Sequence, residues 1–124
     1  MTKEIAPGIT HTRTVTTTHQ MRASQLKADV FSTPAMIGLM EGTCVELTEP
    51  YLEPDEQTVG IHVDVRHMAP TKIGQKVTVT AELLEVKDNK LRYAVTATND
   101  QGVKIGEGSH PRAVINTKNF NRGS

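Results

Sequence analysis

The sequence predicts an α+β domain in which one curved antiparallel sheet wraps around a single long helix. Two observations lead to this prediction. An apolar, helix-like segment (residues 33–48) interrupts the early chain, and four segments with alternating apolar and polar residues follow it. Short turns separate most of these segments, so neighbouring strands should pair antiparallel. A chain of 124 residues has room for one such domain, which we expect to span residues 1–124.

The first part of the chain supplies one strand and the helix. The segment "ITHTRTVTTTHQ" (residues 9–20) is rich in Thr and Val and suits a strand. Residues 21–32 have no clear period and predict a loop or a short helical turn. Thr33 is a good N-cap and Pro34 is favoured at the first helical position, so a helix is predicted from Pro34 to about Thr48.

The rest of the chain has the two-residue period of strands. Residues 58–68 predict one strand with Val59, Ile61, Val63 and Val65 on one face. Residues 76–87 and 90–98 predict a hairpin around the turn Asp88-Asn89, with apolar faces formed by Val77, Val79, Ala81, Leu83, Leu91, Tyr93, Val95 and Ala97. Residues 103–116 predict a last strand, in which Gly106 and Gly108 indicate a bulge or bend.

The helix is apolar around much of its circumference and carries Gly38 and Gly42 four residues apart. Such a helix suits close wrapping by a curved sheet, which is the hot-dog architecture. Hot-dog domains usually dimerise by joining two sheets edge to edge. The core must be aliphatic because Trp is absent, and a small aliphatic core also favours a homodimer or a higher oligomer.

Composition excludes several classes of function. Lys plus Arg and Asp plus Glu each number 14 and form no basic cluster, which argues against nucleic acid or a membrane surface as a partner. Cys44 is the single cysteine, so no intrachain disulfide forms. The five histidines show no ligand spacing, and we expect no metal. No apolar run resembles a signal peptide or a membrane span, so a cytoplasmic protein is expected.

Glu41 is the first candidate for chemistry. Ile37 lies one turn before it and Val45 one turn after it, so the carboxylate sits in an apolar row. One interpretation is an ion pair with an arginine such as Arg66 or Arg112. The other is a general base or nucleophile in a partly dry cleft.

His67 and Thr33 are the other two candidates. His67 is an even number of residues from the apolar residues of its strand, so it should share their face, and it lies at a strand end. His62 is an odd number of residues away and should face solvent. His67 is either a structural histidine or a proton carrier. Thr33 serves as a helix cap, and its hydroxyl also lies where a helix N-terminus favours developing negative charge.

Three separated blocks resemble a known family. "VFSTPAMIGLMEGTCVELTEPYLEPDEQTVG", "VRHMAPTKIGQKVTVTAEL" and "GEGSHPRAVI" resemble, in this order, the fluoroacetyl-CoA thioesterase-like group of hot-dog proteins, over about residues 28–120. The resemblance implies hydrolysis of an acyl thioester by Thr33, Glu41 and His67, the residues that the pattern had isolated. It also implies that the Gly60 N–H lies near the thioester carbonyl and that Arg112 meets the coenzyme A portion.

The expected function is therefore hydrolysis of a small acyl-CoA, with coenzyme A entering as part of the substrate and no separate cofactor. Glu41 is expected to act as nucleophile or as general base, and His67 to move the proton. The segment from His19 to Ser32 is shorter than the lid of the fluoroacetyl-selective member and has one aromatic residue, Phe31, so strong selectivity for fluoroacetyl-CoA is not expected. The alternatives are a non-catalytic acyl-CoA binding or sensing module and a hot-dog hydratase or dehydratase.

Overall fold

The computed structural model describes residues 1–24 and 27–118. The regular elements, in chain order, are β1 (Thr10–Thr16), α1 (Thr33–Thr48), β2 (Glu56–Gly60), β3 (Asp64–His67), β4 (Lys76–Lys87), β5 (Lys90–Asn99) and β6 (Lys104–Asn116). Short 3₁₀ turns occupy His19–Met21 and Glu49–Tyr51. Of the lid-like segment, Gln25 and Leu26 lie outside the described residues.

The strands form one antiparallel sheet in the order β1-β4-β5-β6-β2, and β3 also pairs with β6. The helix α1, the one α-helix among the described residues, packs against β1, β4 and β5. This arrangement confirms the predicted α+β class and the hot-dog architecture. No helix in the described part of the chain has the length and apolarity needed to cross a membrane.

The core lies between α1 and the concave face of the sheet. All eight apolar residues predicted to face inward from β4 and β5 are buried, because period-two alternation places them on one face. The helix contributes Met36, Met40, Cys44 and Leu47. The β4–β5 turn follows the prediction, with Asp88 at a φ of 56°.

In place of the single strand predicted over residues 58–68, the structure has two strands, β2 and β3, so the prediction of one continuous strand was wrong. β2 pairs with residues 112–116 of β6, and β3 pairs with residues 106–109. In the link between them, the carbonyl of His62 accepts a hydrogen bond from a buried side chain of β6. The link residues therefore do not continue the regular pleated pairing of the strands. As a result Ile61 is 50% exposed and does not share the face of Val65.

The start of α1 also differs from the prediction. Ser32 is the N-cap, and its hydroxyl accepts a hydrogen bond from Ala35 N–H at 3.2 Å. Thr33 is therefore the first helical residue rather than the cap. Its hydroxyl is consequently free of the capping bond.

Gly38 does not pack against the sheet, because a Cβ at this position would meet nothing within 4 Å. Pro34, Gly38 and Val45 are exposed along one side of the helix, with Glu41 half-buried among them. We call these four residues the open helix face. The close approach predicted from the two glycines is therefore wrong for Gly38.

The two glycines of β6 mark a bend, as predicted. The pairing of β5 with β6 shifts between Ala97 and Thr98, which leaves Ile105 as the extra residue of a bulge. A Cβ on Gly108 would lie 2.1 Å from the carbonyl oxygen of Asp64. Glycine at this position thus permits the close approach of β3 to β6.

Candidate active site

Thr33 and His67 form a hydrogen-bonded pair at the N-terminus of α1. Thr33 Oγ1 lies 2.7 Å from His67 Nδ1. The pair opens onto a cavity of about 300 Å³ whose remaining lining is largely apolar, with Val30, Phe31, Met68 and Pro70 among its members. Phe31 is 2% exposed and its ring meets the His67 ring edge-on at 6.3 Å between centroids. Phe31 thus belongs to the wall of the cavity rather than to an exposed lid.

Burial lowers the pKa of His67 below its usual value, and the nearby backbone of Ala69 partly opposes this effect. The imidazole is therefore neutral at pH 7 and carries one proton. Its Nε2 atom is buried and has no hydrogen-bond partner among the described residues. If Nδ1 carries the proton and donates to Thr33 Oγ1, the hydroxyl hydrogen of Thr33 is free to bind a substrate oxygen.

Glu41 belongs to a second cluster, two helical turns along α1. Its Oε2 atom accepts a hydrogen bond from Arg112 Nη1 at 3.3 Å and lies 3.5 Å from His110 Nε2. The side chain is 40% exposed, so solvent or a ligand can reach the carboxylate. Of the two arginines proposed as ion-pair partners, Arg112 makes the contact, whereas Arg66 is exposed on β3.

Arg112 is buried and its guanidinium is bonded on three sides. Nε donates to Thr58 Oγ1 and Nη2 donates to the Thr58 carbonyl, both at 2.9 Å. Nη1 donates to Glu41 and to His110 Nε2, the latter at 3.0 Å. With 5% of its surface exposed, Arg112 directs its charge inward, at Glu41.

Gly60 lies against the same carboxylate at the free edge of the sheet. A Cβ at this position would stand 2.9 Å from both Glu41 Oε2 and His110 Cε1, so only glycine fits without displacing them. Ile61 N–H donates to the Pro111 carbonyl at 3.1 Å, and hydrogen-bonded pairs alternate with non-bonded pairs along an antiparallel ladder. The N–H of Gly60 therefore points away from β6, out of the sheet edge.

A single chain keeps the two clusters apart. Thr33 and Glu41 are eight residues apart on one helix, or about 12 Å along its axis. His67 pairs opposite Gly106, and Gly60 pairs opposite Arg112. These partners are six residues apart on β6, or about 20 Å. The structure thus joins Thr33 with His67 and joins Glu41 with Gly60 and Arg112, but it does not join the two groups.

Sequence reasoning missed Thr58 and His110, which complete the surroundings of Arg112. The sequence held a usable signal for His110, because His110, Arg112 and Val114 alternate along the predicted last strand and should share one face. In the structure all three are buried. Thr58 gave no signal, since its role depends on the register of β2 with β6. In the part of the chain that the structure describes, no group of three or more His, Cys, Asp or Glu side chains has the arrangement of a metal site.

Comparison with known proteins gives consistent matches. A family model described as fluoroacetyl-CoA-specific thioesterase matches residues 9–118. A curated fluoroacetyl-CoA thioesterase from Streptantibioticus cattleyicolor is 47% identical over 93 residues, which make up 75% of this chain and 66% of that protein, just under two thirds of its length.

Two solved structures are similar over nearly the whole chain. The fluoroacetyl-CoA thioesterase FlK has a TM-score of 0.90 and 35% identity, with 98% of this chain and 96% of that chain covered. A mutant of FlK in complex with fluoroacetate and CoA has a TM-score of 0.87 and 36% identity, with 94% and 100% covered.

Proposed function

The chain belongs to the fluoroacetyl-CoA-specific thioesterase family, a family of thioester-hydrolysing enzymes, and on this premise we propose that it hydrolyses small acyl-CoA thioesters. The observation that carries the proposal is the placement of Glu41. Its carboxylate lies on the open helix face, is held by Arg112 at one oxygen, and lies against Gly60, whose N–H points out of the sheet edge. Acyl transfer needs such a nucleophile or base next to a donor for the developing oxyanion.

In the proposed reaction, Glu41 acts through the oxygen that Arg112 does not hold. In one route this oxygen attacks the thioester carbonyl carbon, the C–S bond breaks, and coenzyme A leaves as a thiolate; water then hydrolyses the resulting acyl–Glu41 anhydride to the carboxylic acid and free Glu41. In the other route this oxygen takes a proton from a water that attacks the carbonyl carbon, and the C–S bond breaks to give the carboxylic acid and the thiolate. Gly60 N–H donates to the carbonyl oxygen as it gains negative charge. The guanidinium of Arg112 keeps Glu41 ionised and oriented, and we assign it to this carboxylate in preference to the coenzyme A portion.

Thr33 and His67 act on the same carbonyl from the other side. With His67 Nδ1–H donating to Thr33 Oγ1, the Thr33 O–H is directed at the carbonyl oxygen, near the positive end of the helix dipole. In this form His67 Nε2 carries no proton, so it can accept the proton that the hydrolysing water releases and pass it to the sulfur of coenzyme A, which leaves the imidazole neutral again. The mechanism uses no metal or redox cofactor, and coenzyme A enters with the acyl group.

We further propose that the complete site forms between two copies of the chain. Reacting groups must approach within about 3–3.5 Å, whereas one chain separates the two clusters by about 12 Å along the helix. On the open helix face, Val45 is 38% exposed and Gly38 is exposed beside Glu41. Next to this face lies β2, which forms an edge of the sheet. A twofold dimer would place Thr33 and His67 of one copy opposite Glu41 and Gly60 of its partner, with the apolar residues covered.

The proposed activity is tested by thiol release from a panel of acyl-CoAs, from acetyl to long chains. Wild type is compared with Glu41→Gln, which keeps the shape of the side chain and a hydrogen-bond acceptor for Arg112 but removes the nucleophile and base. Hydrolysis by wild type, with a loss of at least about a hundredfold in the variant, supports the proposal.

Two other results would assign the chain to another class. Tight binding of acyl-CoA without turnover would indicate a binding or sensing module. A change in the unsaturation of the acyl chain, without thiol release, would indicate a hydratase or dehydratase. Either result would contradict the proposed function.

A further inference from the structure

A histidine that the proposed mechanism does not use lies directly behind the pair of Glu41 and Arg112. His110 is 1% exposed. Its Nδ1 atom is 2.6 Å from the carbonyl oxygen of His62, and its Nε2 atom is 3.0 Å from Arg112 Nη1. A buried imidazole with two specific partners beside a reactive carboxylate is well placed to influence that carboxylate.

The two partners determine which nitrogen of His110 carries the proton. A carbonyl oxygen only accepts, so Nδ1 must donate to His62. A guanidinium only donates, so Nε2 must accept from Arg112. Both bonds are satisfied by one form alone, the neutral imidazole protonated at Nδ1.

We propose that His110 is a positioning residue for the reaction, which in its neutral form holds Arg112 so that one N–H of Nη1 is aimed at Glu41. The inference rests on the thioesterase function proposed above. Arg112 is planar, and Thr58 fixes Nε and Nη2 while His110 fixes one hydrogen of Nη1. The remaining hydrogen of Nη1 is then directed at Glu41 Oε2.

This geometry leaves the second oxygen of Glu41 available. Among the described residues, Arg112 and His110 both contact the carboxylate at Oε2. The other oxygen can therefore face the thioester or a water. Loss of the His110 acceptor would let Nη1 rotate or shift, and a displacement of about 1 Å in a reacting group can cost a hundredfold in rate.

Protonation of His110 would reverse its effect. Three groups face the imidazole: Glu41 from α1, Arg112 from β6, and His62 from the β2–β3 link. A proton on Nε2 would oppose the N–H of Arg112 and attract Glu41 Oε2, which is 3.5 Å away. Burial lowers the pKa of His110 below its usual value, so the neutral form prevails near pH 7. We expect kcat to fall on the acid side as this residue becomes protonated.

Two substitutions separate the two hydrogen bonds of His110. In His110→Asn, the side-chain amide can still donate to His62 but no longer reaches Arg112. In His110→Gln, the longer side chain can present its amide oxygen to Arg112. We expect His110→Asn to lower kcat by about tenfold to a hundredfold, with KM changed by less than about threefold. His110→Gln should restore most of this loss and should lack the acid-side fall that His110 causes.

The action through Arg112 is tested by adding each substitution to Arg112→Lys. If His110 works by holding the guanidinium, His110→Asn should have little further effect on kcat in that background. His11→Asn, at a histidine outside both clusters, is the matched control and should leave kcat unchanged. Equal losses in His110→Asn and His110→Gln, or full additivity with Arg112→Lys, would overturn the proposal.

One measurement on the wild-type protein removes dependence on variants that fail to fold. Nitrogen NMR of the imidazoles should show His110 protonated at Nδ1 and unprotonated at Nε2 near pH 7, and the opposite form would overturn the proposal. A wild-type protein that does not hydrolyse acyl-CoA refutes the proposed function itself. Wild-type hydrolysis with a normal kcat and pH profile in His110→Asn refutes the positioning role alone.

Discussion

The separation of the two clusters can be tested by pairing two inactive chains. One chain carries Thr33→Val, which removes the hydroxyl, and the other carries Glu41→Gln. In one chain these residues are about 12 Å apart along α1, too far to act on one carbonyl. Each variant alone should lose at least about a hundredfold in kcat, so the background of the assay is low.

In a mixed dimer the two mutations fall in the same composite site. The other site combines the intact Thr33 of one chain with the intact Glu41 of its partner. Mixed dimers isolated with two different affinity tags should therefore regain about half of the wild-type kcat per dimer, as expected for one intact site of two in a twofold dimer. The assay is release of coenzyme A thiol from a short acyl-CoA.

The reciprocal pairing gives the control. A chain carrying both substitutions, paired with a wild-type chain, should be almost inactive if the sites are composite, because each site then lacks one residue. If each chain held a complete site, the result would be reversed, with about half activity here and none in the first mixture. That reversed pattern, or a monomer by light scattering at micromolar concentration, would refute the proposed assembly.

The remaining predictions concern the Glu41 cluster and the substrate. Gly60→Ala should lower kcat by about a hundredfold, since its Cβ would displace the Glu41 carboxylate; unchanged kinetics would contradict this geometry. Glu41→Gln should lower the free energy of unfolding, measured in urea, by only about 1 kcal/mol because the carboxylate is 40% exposed. Arg112→Met should lower it by about 3 kcal/mol or more because the buried groups that bind the guanidinium lose their partner. Equal losses in the two variants would contradict this prediction. The pKa of His110 in the folded chain is below its ordinary value of 6.5, so its contribution to stability is present above about pH 6.5 and is lost as pH falls toward the folded pKa. In unfolding experiments at several pH values, His110→Gln should reduce this loss of stability. An unchanged loss would show that other groups cause it. The ratio of kcat/KM for fluoroacetyl-CoA to that for acetyl-CoA, each corrected by its rate of hydroxide hydrolysis, should stay below about a thousandfold, since pocket size alone supplies only about 1–3 kcal/mol; a higher ratio would reveal a selective gate.

The sequence was most informative where periodicity alone determines structure. The alternation in β4 and β5 correctly predicted eight buried residues. In a regularly paired strand every second side chain lies on the same face, so the apolar set is buried together. The helix was predicted to within one residue at its start. The error at Thr33 arose because Ser32 and Thr33 are both good caps, and sequence alone does not select between adjacent candidates.

The sequence was least informative where the chain leaves regular pairing. Val59 to Val65 suggested one continuous strand, but the carbonyl of His62 turns toward His110, a contact between residues 48 positions apart. The contact of Glu41 with Arg112 is similarly distant. The isolated carboxylate of Glu41 is visible in the sequence, but its arginine partner, the glycine beside it and the buried histidine depend on how α1 and β2 lie against β6.

The burial of Cys44 affects how the reaction can be measured. Its side chain is fully buried and burial raises its pKa to about 12, so almost no thiolate exists at neutral pH. The only sulfhydryl of the chain should therefore contribute no background when released coenzyme A is trapped with a thiol reagent, and it should form no mixed disulfide with the product. Reaction of Cys44 would begin only when the core opens, so the rate of its labelling reports global unfolding of the same sample.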